Sequence, residues 1–260
     1  MGLWKMVTDA WRIVLKNPVI IAVVGGINIV LGLLVLPFVN EINQAGRAGQ
    51  MFALGMAAVQ FFFIPFLQGG CLGFASNRLG GQGGSPLAAF LDGAKRLYRR
   101  LLAFEALTVA VIVLLVVVSI LLFTISMAPA AASPGLSIAA ALVSSVPVAL
   151  ALYLLIVILS FAPVSMAVDG ANVFGAVKRA LALGRPAVGQ MLLLSLLLAL
   201  TLVPAFLIAG IPEFIEQAGT HLGLAGLLLG LVLQSLAGAL SMVLFLAGYM
   251  LLFRRRAGST

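Results

Sequence analysis

Residues 85–101, SPLAAFLDGAKRLYRRL, place a cationic amphipathic helix directly before a long apolar run. The apolar side chains of this stretch recur every three or four residues, and charged residues occupy the opposite face. The charged residues are Asp92, Lys95, Arg96, Arg99 and Arg100. Residues 3–16 and 172–183 repeat the plan, each before another apolar run. The pattern predicts three units, each a cytoplasmic amphipathic interfacial helix followed by a hairpin of two transmembrane helices.

The composition of the 260-residue chain is typical of polytopic α-helical membrane proteins. Hydrophobic residues make up 63% of the chain and charged residues only 8%, which is more apolar surface than a soluble core could bury. An outer-membrane barrel is disfavoured because runs such as residues 109–123 are apolar without alternation. We therefore expect an all-α membrane protein, since helices satisfy their own backbone hydrogen bonds in lipid.

Six apolar runs are long enough to cross the hydrocarbon core. They cover residues 19–38, 51–74, 101–127, 137–167, 188–210 and 222–253. We interpret residues 1–260 as one integral membrane domain, with possible units at 1–80, 81–170 and 171–260. Arg12, Lys95 and Lys178 are spaced by 83 residues each time, but the other side chains match poorly. A true internal repeat and a merely recurring hairpin plan both stay open.

The charge distribution predicts the orientation of the chain. Of its fifteen Lys and Arg residues, all but Arg47 lie at the termini or in the loops joining spans two to three and four to five. The opposite loops carry Glu41, Glu213 and Glu216. The positive-inside rule then predicts a multi-pass protein of the cell inner (cytoplasmic) membrane with both termini in the cytoplasm. This arrangement also explains the net charge of +8, so no nucleic-acid partner is expected.

Ten basic side chains on the amphipathic stretches are candidates for contact with membrane lipids, chiefly anionic headgroups, or with a membrane protein partner. They are Lys5, Arg12, Lys16, Lys95, Arg96, Arg99, Arg100, Lys178, Arg179 and Arg185. Each Lys or Arg near a negatively charged leaflet contributes about 1 kcal/mol to membrane attachment. Simple anchoring at the membrane surface is the alternative explanation.

Glu105 and Gln234 are the candidates for a polar site within the membrane. Glu105 is the only acidic residue inside a proposed span, and intramembrane carboxylates commonly mark functional sites. It lies near the interface, however, where it could instead pair with Arg12 or Lys16. Gln234 belongs to a set of amides that either line a polar path or form hydrogen bonds between helices. The other members are Asn28, Gln60, Gln68 and Gln190.

The sequence gives no indication of an enzyme. His221 stands alone, with no second histidine or cysteine near it, so no metal site is expected. The single cysteine, Cys71, lies in an apolar run. We find no nucleophile paired with a base and no nucleotide-binding motif. Catalytic, cofactor-binding and metal-binding residues are therefore assigned as none.

Residues 160–185, SFAPVSMAVDGANVFGAVKRALALGR, end a long span at an acidic residue and continue into a helix with paired basic residues. This segment resembles the membrane domain of the glycerophosphoryl diester phosphodiesterase type and related uncharacterised six-helix prokaryotic membrane proteins. The resemblance implies a six-helix membrane domain. It transfers no phosphodiesterase residue, because the chain has no room for the catalytic barrel of those enzymes.

Together these features favour a non-enzymatic integral membrane protein, an accessory or scaffold that organises lipid or a partner at the cytoplasmic face of the membrane. The alternative is a transporter or flippase for a lipid or a hydrophobic small molecule. Prolines within the spans, the glycine-rich sixth span and Glu105 support that alternative. The pattern of residues leaves the oligomeric state open.

Overall fold

The computed structural model describes residues 2–35, 47–81, 83–127, 134–217 and 223–258. Over these residues the chain forms helices and turns, with no β-strand. The helices are α1 (Leu3–Leu15), α2 (Pro18–Val35), α3 (Arg47–Leu79), α4 (Pro86–Met127), α5 (Pro134–Val168), α6 (Val173–Gly184), α7 (Val188–Gln217) and α8 (Gly223–Ala257). A short 3₁₀ helix, Arg185–Ala187, joins α6 to α7. The predicted all-α fold class is confirmed.

Six helices in the described part of the chain are long and apolar enough to cross a membrane, namely α2, α3, α4, α5, α7 and α8. The predicted six-span, multi-pass architecture is confirmed. The 18 residues of α2 are close to the minimum for a span. By contrast, α4 has 42 residues and rises about 63 Å, against a hydrocarbon core of about 30 Å. The longer helices must therefore extend beyond the bilayer core.

Helix-breaking residues decide whether an amphipathic stretch is separate from the span that follows it. Asn17 and Pro18 lie at the break between α1 and α2, and the 3₁₀ helix with Pro186 separates α6 from α7. Residues 94–127 contain neither glycine nor proline, so the stretch 85–101 runs into the third span as the single helix α4. In this unit the amphipathic segment is the projecting first part of a long helix, not a separate helix lying in the membrane surface.

The last helix, α8, forms the centre of the bundle. It packs against α1, α2, α3, α5, α6 and α7, and half of its apolar window is buried. Its buried side chains include Val243, Leu244, Met250 and Phe253. Helices α2, α3 and α5 each pack against both α4 and α8. These three helices therefore connect α4 to the central helix.

The buried core is concentrated at the end of the bundle that carries α1, α6, the start of α4 and the end of α8, which we call the basic end. Phe74, Phe90, Phe161 and Phe253, from four different helices, are fully buried there. The rings of Phe161 and Phe253 pack edge to face with centroids 5.6 Å apart. Residues 109–121 of α4 are mostly exposed, as expected for side chains that face lipid. The basic end is thus the closely packed part of the molecule.

Helices α3 and α4 cross where their backbones touch at glycines. A Cβ atom added to Gly73 would overlap the Cα of Gly93 and lie 3.0 Å from the carbonyl oxygen of Ala89. A Cβ added to Gly93 would lie 2.7 Å from the carbonyl oxygen of Gly69. Gly69 and Gly73 form the Gly-x-x-x-Gly pattern typical of close helix pairs in membranes. The crossing at Gly73 and Gly93 was not among the features predicted from the sequence.

Candidate functional site

All ten basic residues predicted to contact lipid or a partner are exposed at the basic end. Three lie on α1 or at its C-terminal cap, four on the first half of α4, and three on α6 and the 3₁₀ helix. The fold therefore collects charges from three distant parts of the sequence on one end of the bundle. This placement gives the end a positively charged surface.

Two of the ten residues form interactions within the protein at the turn between α5 and α6. Arg100 of α4 donates a hydrogen bond of 2.7 Å to the carbonyl oxygen of Gly170. Arg179 of α6 pairs with Asp169 at 2.8 Å, and the Ser165 hydroxyl donates to the same carboxylate at 3.1 Å. Gly170 has a φ of +66°, which other residues rarely adopt. These two arginines thus contribute to holding the basic end together.

A third arginine, Arg12, pairs with Asp9 one turn earlier in α1 at 3.3 Å. The other seven candidates share a different property: their side chains form no hydrogen bond or ion pair with any described residue. They are Lys5, Lys16, Lys95, Arg96, Arg99, Lys178 and Arg185. Exposed cations without an internal partner are available to anions outside the protein.

A polar pocket of about 260 Å³ opens at the basic end. Its lining comes from the end of α3, the start of α4 and the ends of α5 and α8, and consists of Gly73, Ser76, Asn77, Gly80, Ala89, Asp92, Arg96, Ala167, Val168 and Arg254. Nη2 of Arg254 donates to the backbone carbonyl of Ser76 at 3.2 Å and contacts the Ser76 hydroxyl at 3.4 Å. The pocket thus combines two guanidinium groups with one carboxylate.

An apolar groove of about 520 Å³ lies between α1 and α7. Its lining is formed by Trp4, Val7, Thr8, Trp11, Arg12, Leu15, Lys16 and Thr201. The indole Nε1 of Trp11 donates to the Thr201 hydroxyl at 2.9 Å and so fixes α1 to α7. Tryptophan is enriched at membrane interfaces. The groove thus combines two cationic residues, Arg12 and Lys16, with an otherwise mainly apolar lining.

The two candidates for a polar site within the membrane, Glu105 and Gln234, lie on different helices. Glu105 is half-buried on α4 and forms no ion pair or hydrogen bond with a described residue, so the pairing with Arg12 or Lys16 is not observed. Gln234 is exposed on α8. Among the described residues, the ion pairs and hydrogen bonds of the structure do not join the two side chains.

Two of the other amides, Asn28 of α2 and Gln60 of α3, line one cleft of about 340 Å³. The rest of its lining consists of apolar side chains, including those of Phe63 and Leu67, and of Gly32, which has no side chain. Neither amide forms a hydrogen bond with a described residue. Gln68 and Gln190 each have a buried side-chain oxygen that lacks a described partner. The expectation that these amides join helices is therefore not met at Asn28 and Gln60.

The described residues contain no group of three or more His, Cys, Asp or Glu side chains that could hold a metal ion. Cys71 is fully buried between α3 and its neighbours. His221 and Glu41 lie outside the described residues, as do the side chains of Arg47, Glu213 and Glu216. Among the polar residues of the pocket, Arg96 was predicted as a site residue, whereas Ser76, Asn77, Asp92 and Arg254 were not.

Comparison with known proteins identifies one family. The family model described as "Domain of unknown function (DUF7847)" matches residues 1–255. A search of curated proteins and a search of solved structures each gave no match. The six apolar helices and the extent of the family match together characterise the whole chain as a membrane protein of this type. The chain belongs to the family described as Domain of unknown function (DUF7847).

Proposed function

We propose that this protein is a non-enzymatic accessory or scaffold protein whose basic end organises anionic lipid at the cytoplasmic face of the membrane. The observation that carries the proposal is the set of seven exposed Lys and Arg side chains that have no hydrogen-bond or ion-pair partner within the described part of the chain. At about 1 kcal/mol for each cation near an anionic leaflet, the set supplies several kcal/mol of attraction. The groove between α1 and α7 offers an apolar surface beside two of the basic residues for acyl chains.

The proposal includes an orientation, with both termini in the cytoplasm and the protein in the inner membrane. The excess of positive charge at one end of the bundle supports it. The test uses Gly2→Cys and Gly258→Cys, each in a Cys71→Ala background, because both glycines are exposed and Cys71 is the only native cysteine. A membrane-impermeant maleimide should label both positions in inverted vesicles but not in intact cells. Labelling of either position in intact cells would contradict the orientation.

The resemblance to the membrane domain of glycerophosphoryl diester phosphodiesterases forms the finer part of the proposal. In those proteins the domain accompanies an enzyme that acts on lipid-derived phosphodiesters. A six-helix domain with a basic end would serve a comparable accessory role here, either through lipid alone or through a membrane protein partner.

The test of lipid organisation compares two fourfold variants purified gently with their native lipids. One neutralises Lys95, Arg99, Lys178 and Arg185 to Gln, and the matched control exchanges each for the other basic residue. Mass spectrometry should find anionic phospholipid enriched over the bulk membrane in the wild type and the control, and depleted severalfold in the neutral variant. Equal lipid profiles in all three proteins would refute the proposal. A stoichiometric protein lost only from the neutral variant would replace lipid with a protein partner.

A second function, a transporter or flippase for a lipid or hydrophobic small molecule, is favoured by the cleft between α2 and α3. Amides that lack hydrogen bonds in an apolar environment are unfavourable by roughly 1–3 kcal/mol each, and a ligand with polar atoms would relieve that. In proteoliposomes, Asn28→Leu and Gln60→Leu should lower the movement of fluorescent phospholipids between leaflets. Ser119→Ala is the control, because the Ser119 hydroxyl bonds within α4. Movement equal to that of protein-free vesicles in the wild type would exclude the function for phospholipids.

A further inference from the structure

The geometry points to a ligand for the polar pocket at the basic end: we propose that it binds a phosphoethanolamine-type group, a phosphate joined to a primary ammonium by a short linker. The three charged residues of the pocket are Asp92, Arg96 and Arg254. Their combination of two cations and one anion suits a ligand that carries both charges. The inference shares Arg96 with the seven cations of the proposed function, but its residues differ from the four that are changed in the test of lipid enrichment.

Arg254 provides the fixed part of a phosphate site. It is partly buried, and its hydrogen bonds to the backbone carbonyl and hydroxyl of Ser76 use only Nη2. The remaining N–H donors of the guanidinium have no partner among the described residues. A planar guanidinium held in one orientation matches two phosphate oxygens and loses little side-chain entropy when it binds them.

Asp92 and Arg96 provide the second half of the site. They lie one turn apart on α4, at a spacing where Asp and Arg commonly pair, yet they form no ion pair. Both side chains therefore keep their charges available at the pocket. A ligand with a phosphate near Arg96 and an ammonium near Asp92 would satisfy both at once, whereas a simple anion would be repelled by the carboxylate.

The close crossing of α3 and α4 keeps the pocket open. Gly73, Gly80 and Ala89 contribute small side chains or none to its lining, and the backbone contact between Gly73 and Gly93 fixes the distance between the two helices. Ser76 on α3 and Asp92 on α4 both line the pocket, and the close crossing of the two helices fixes their backbone positions. The site is thus formed before any ligand arrives, which lowers the entropy lost on binding.

The test measures the thermal midpoint of the full chain in neutral detergent at constant ionic strength, because a ligand that binds the folded state raises the midpoint by an amount that grows with the ratio of ligand concentration to Kd. The probes are O-phosphoethanolamine, glycerol 3-phosphate and ethanolamine. O-phosphoethanolamine should raise the midpoint with the concentration dependence of a single site, and the other two should raise it less at the same concentration. Arg96→Gln should raise its Kd about tenfold, as expected for a lost charged hydrogen bond. Arg255→Gln, an exposed neighbour of Arg254 outside the pocket, should leave it unchanged.

Asp92→Asn distinguishes a zwitterion site from a general anion site. The variant should bind O-phosphoethanolamine about tenfold more weakly, because the ammonium loses its carboxylate partner. It should bind glycerol 3-phosphate more tightly, because the same substitution removes the repulsion between the carboxylate and the phosphate. The assignment would be overturned if the wild type bound O-phosphoethanolamine and glycerol 3-phosphate with equal affinity. It would also be overturned if Asp92→Asn changed the affinities for both probes in the same direction. If no phosphate probe raises the thermal midpoint in a concentration-dependent way and no lipid is retained, the site itself is refuted.

Native mass spectrometry in nanodiscs distinguishes the two sources of this chemistry. A phosphatidylethanolamine molecule retained by the wild type and lost in Arg96→Gln would assign the site to a lipid headgroup. Binding of O-phosphoethanolamine without a retained lipid would assign it to a free phosphorylated amine. Either result supports the pocket. If the wild type shows no lipid enrichment while Arg96→Gln still lowers the affinity for O-phosphoethanolamine, the scaffold function is refuted and the pocket assignment stands.

Discussion

Replacement of Gly73 by alanine tests the contact on which the basic end is built. A Cβ at this position overlaps the Cα of Gly93 and lies 3.0 Å from the carbonyl oxygen of Ala89. Both neighbours are backbone atoms of α4, so no side chain can rotate away and the two helices must separate. Overpacking of this kind is unfavourable by roughly 1–3 kcal/mol. For a chain of this size that corresponds to a fall in the thermal midpoint of about 2–12 °C.

The chain contains its own reporter for the measurement. Cys71 is fully buried two residues from Gly73 and is the only cysteine. A dye that fluoresces on reaction with thiols therefore reports unfolding at the crossing itself during a temperature ramp in detergent. Gly73→Ala should lower the temperature at which Cys71 reacts. The double variant with Gly93→Ala should be less than additive, because both substitutions separate the same two backbones.

Gly55→Ala is the matched control, since Gly55 lies on the same helix and a Cβ there would meet no atom within 4 Å. Gly55→Ala should change the free energy of unfolding by less than about 0.5 kcal/mol relative to the wild type. Its thermal midpoint should therefore shift very little. If Gly73→Ala and Gly55→Ala react at the same temperature, the two helices are not in backbone contact, and the account of the crossing and of the pocket beside it is wrong.

Three further predictions concern the contacts that position the rest of the basic end. Trp11→Phe removes the 2.9 Å hydrogen bond to Thr201 and should lower the free energy of unfolding by about 1 kcal/mol. A double-mutant cycle with Thr201→Val should give a coupling energy of the same size, and a coupling energy of zero would contradict the prediction. Asp169→Asn breaks a partly exposed ion pair and should lower the free energy of unfolding by less than about 1 kcal/mol, an effect that high salt should diminish. Gly170→Ala forces a side chain onto a φ of +66° and should lower stability by about 1–2 kcal/mol; an unchanged thermal midpoint would show that the turn relaxes.

The membrane-crossing helices could be predicted because their signal is local. A run of about 20 apolar residues identifies a span whatever its neighbours are. The ends of α1 and α6 were also predictable, since Pro18 and Pro186 interrupt the helical pattern. The same reasoning explains the difference at α4, where no breaker separates the amphipathic segment from the span. An amphipathic pattern shows which face of a helix is polar. A separate helix that lies along the membrane surface also needs a break between it and the span that follows.

Helix pairing could not be predicted from the same patterns. Gly73 and Gly230 each end a Gly-x-x-x-Gly sequence. Gly73 meets the backbone of Gly93, whereas Gly230 faces the side chain of Pro212 at an ordinary distance of 3.6 Å. Lipid is as apolar as a neighbouring helix, so periodicity does not reveal which face of a span is buried. The identity of the partner depends on the small residues of the other helix, far away in the sequence.

The polar pocket escaped prediction for a related reason. Arg254 follows the last apolar run, a position where basic residues commonly serve only to orient the chain. Its partner Ser76 lies 178 residues earlier. Nothing in either local sequence distinguishes Arg254 from Arg255, which is exposed and lies outside the pocket. Arg254 belongs to the pocket because the end of α8 meets the end of α3 in the folded chain. That meeting cannot be read from either local sequence.

The lengths of the helices give the height of this pocket above the membrane, and with it the expected source of its ligand. The third predicted span begins at residue 101, and Arg96 lies five residues earlier, about 8 Å along the axis of α4. A headgroup layer is about 5–8 Å thick, so the pocket lies at the outer edge of this layer. Residues 223–253 of α8 rise about 46 Å before Arg254, which also exceeds the hydrocarbon core by more than one headgroup layer. A phospholipid headgroup reaches Arg96 only from the outermost position in that layer, whereas a free phosphorylated amine is not restricted in this way. We therefore expect O-phosphoethanolamine to bind without an acyl chain, and a phosphatidylethanolamine retained through Arg96 would show that the headgroup layer reaches the pocket.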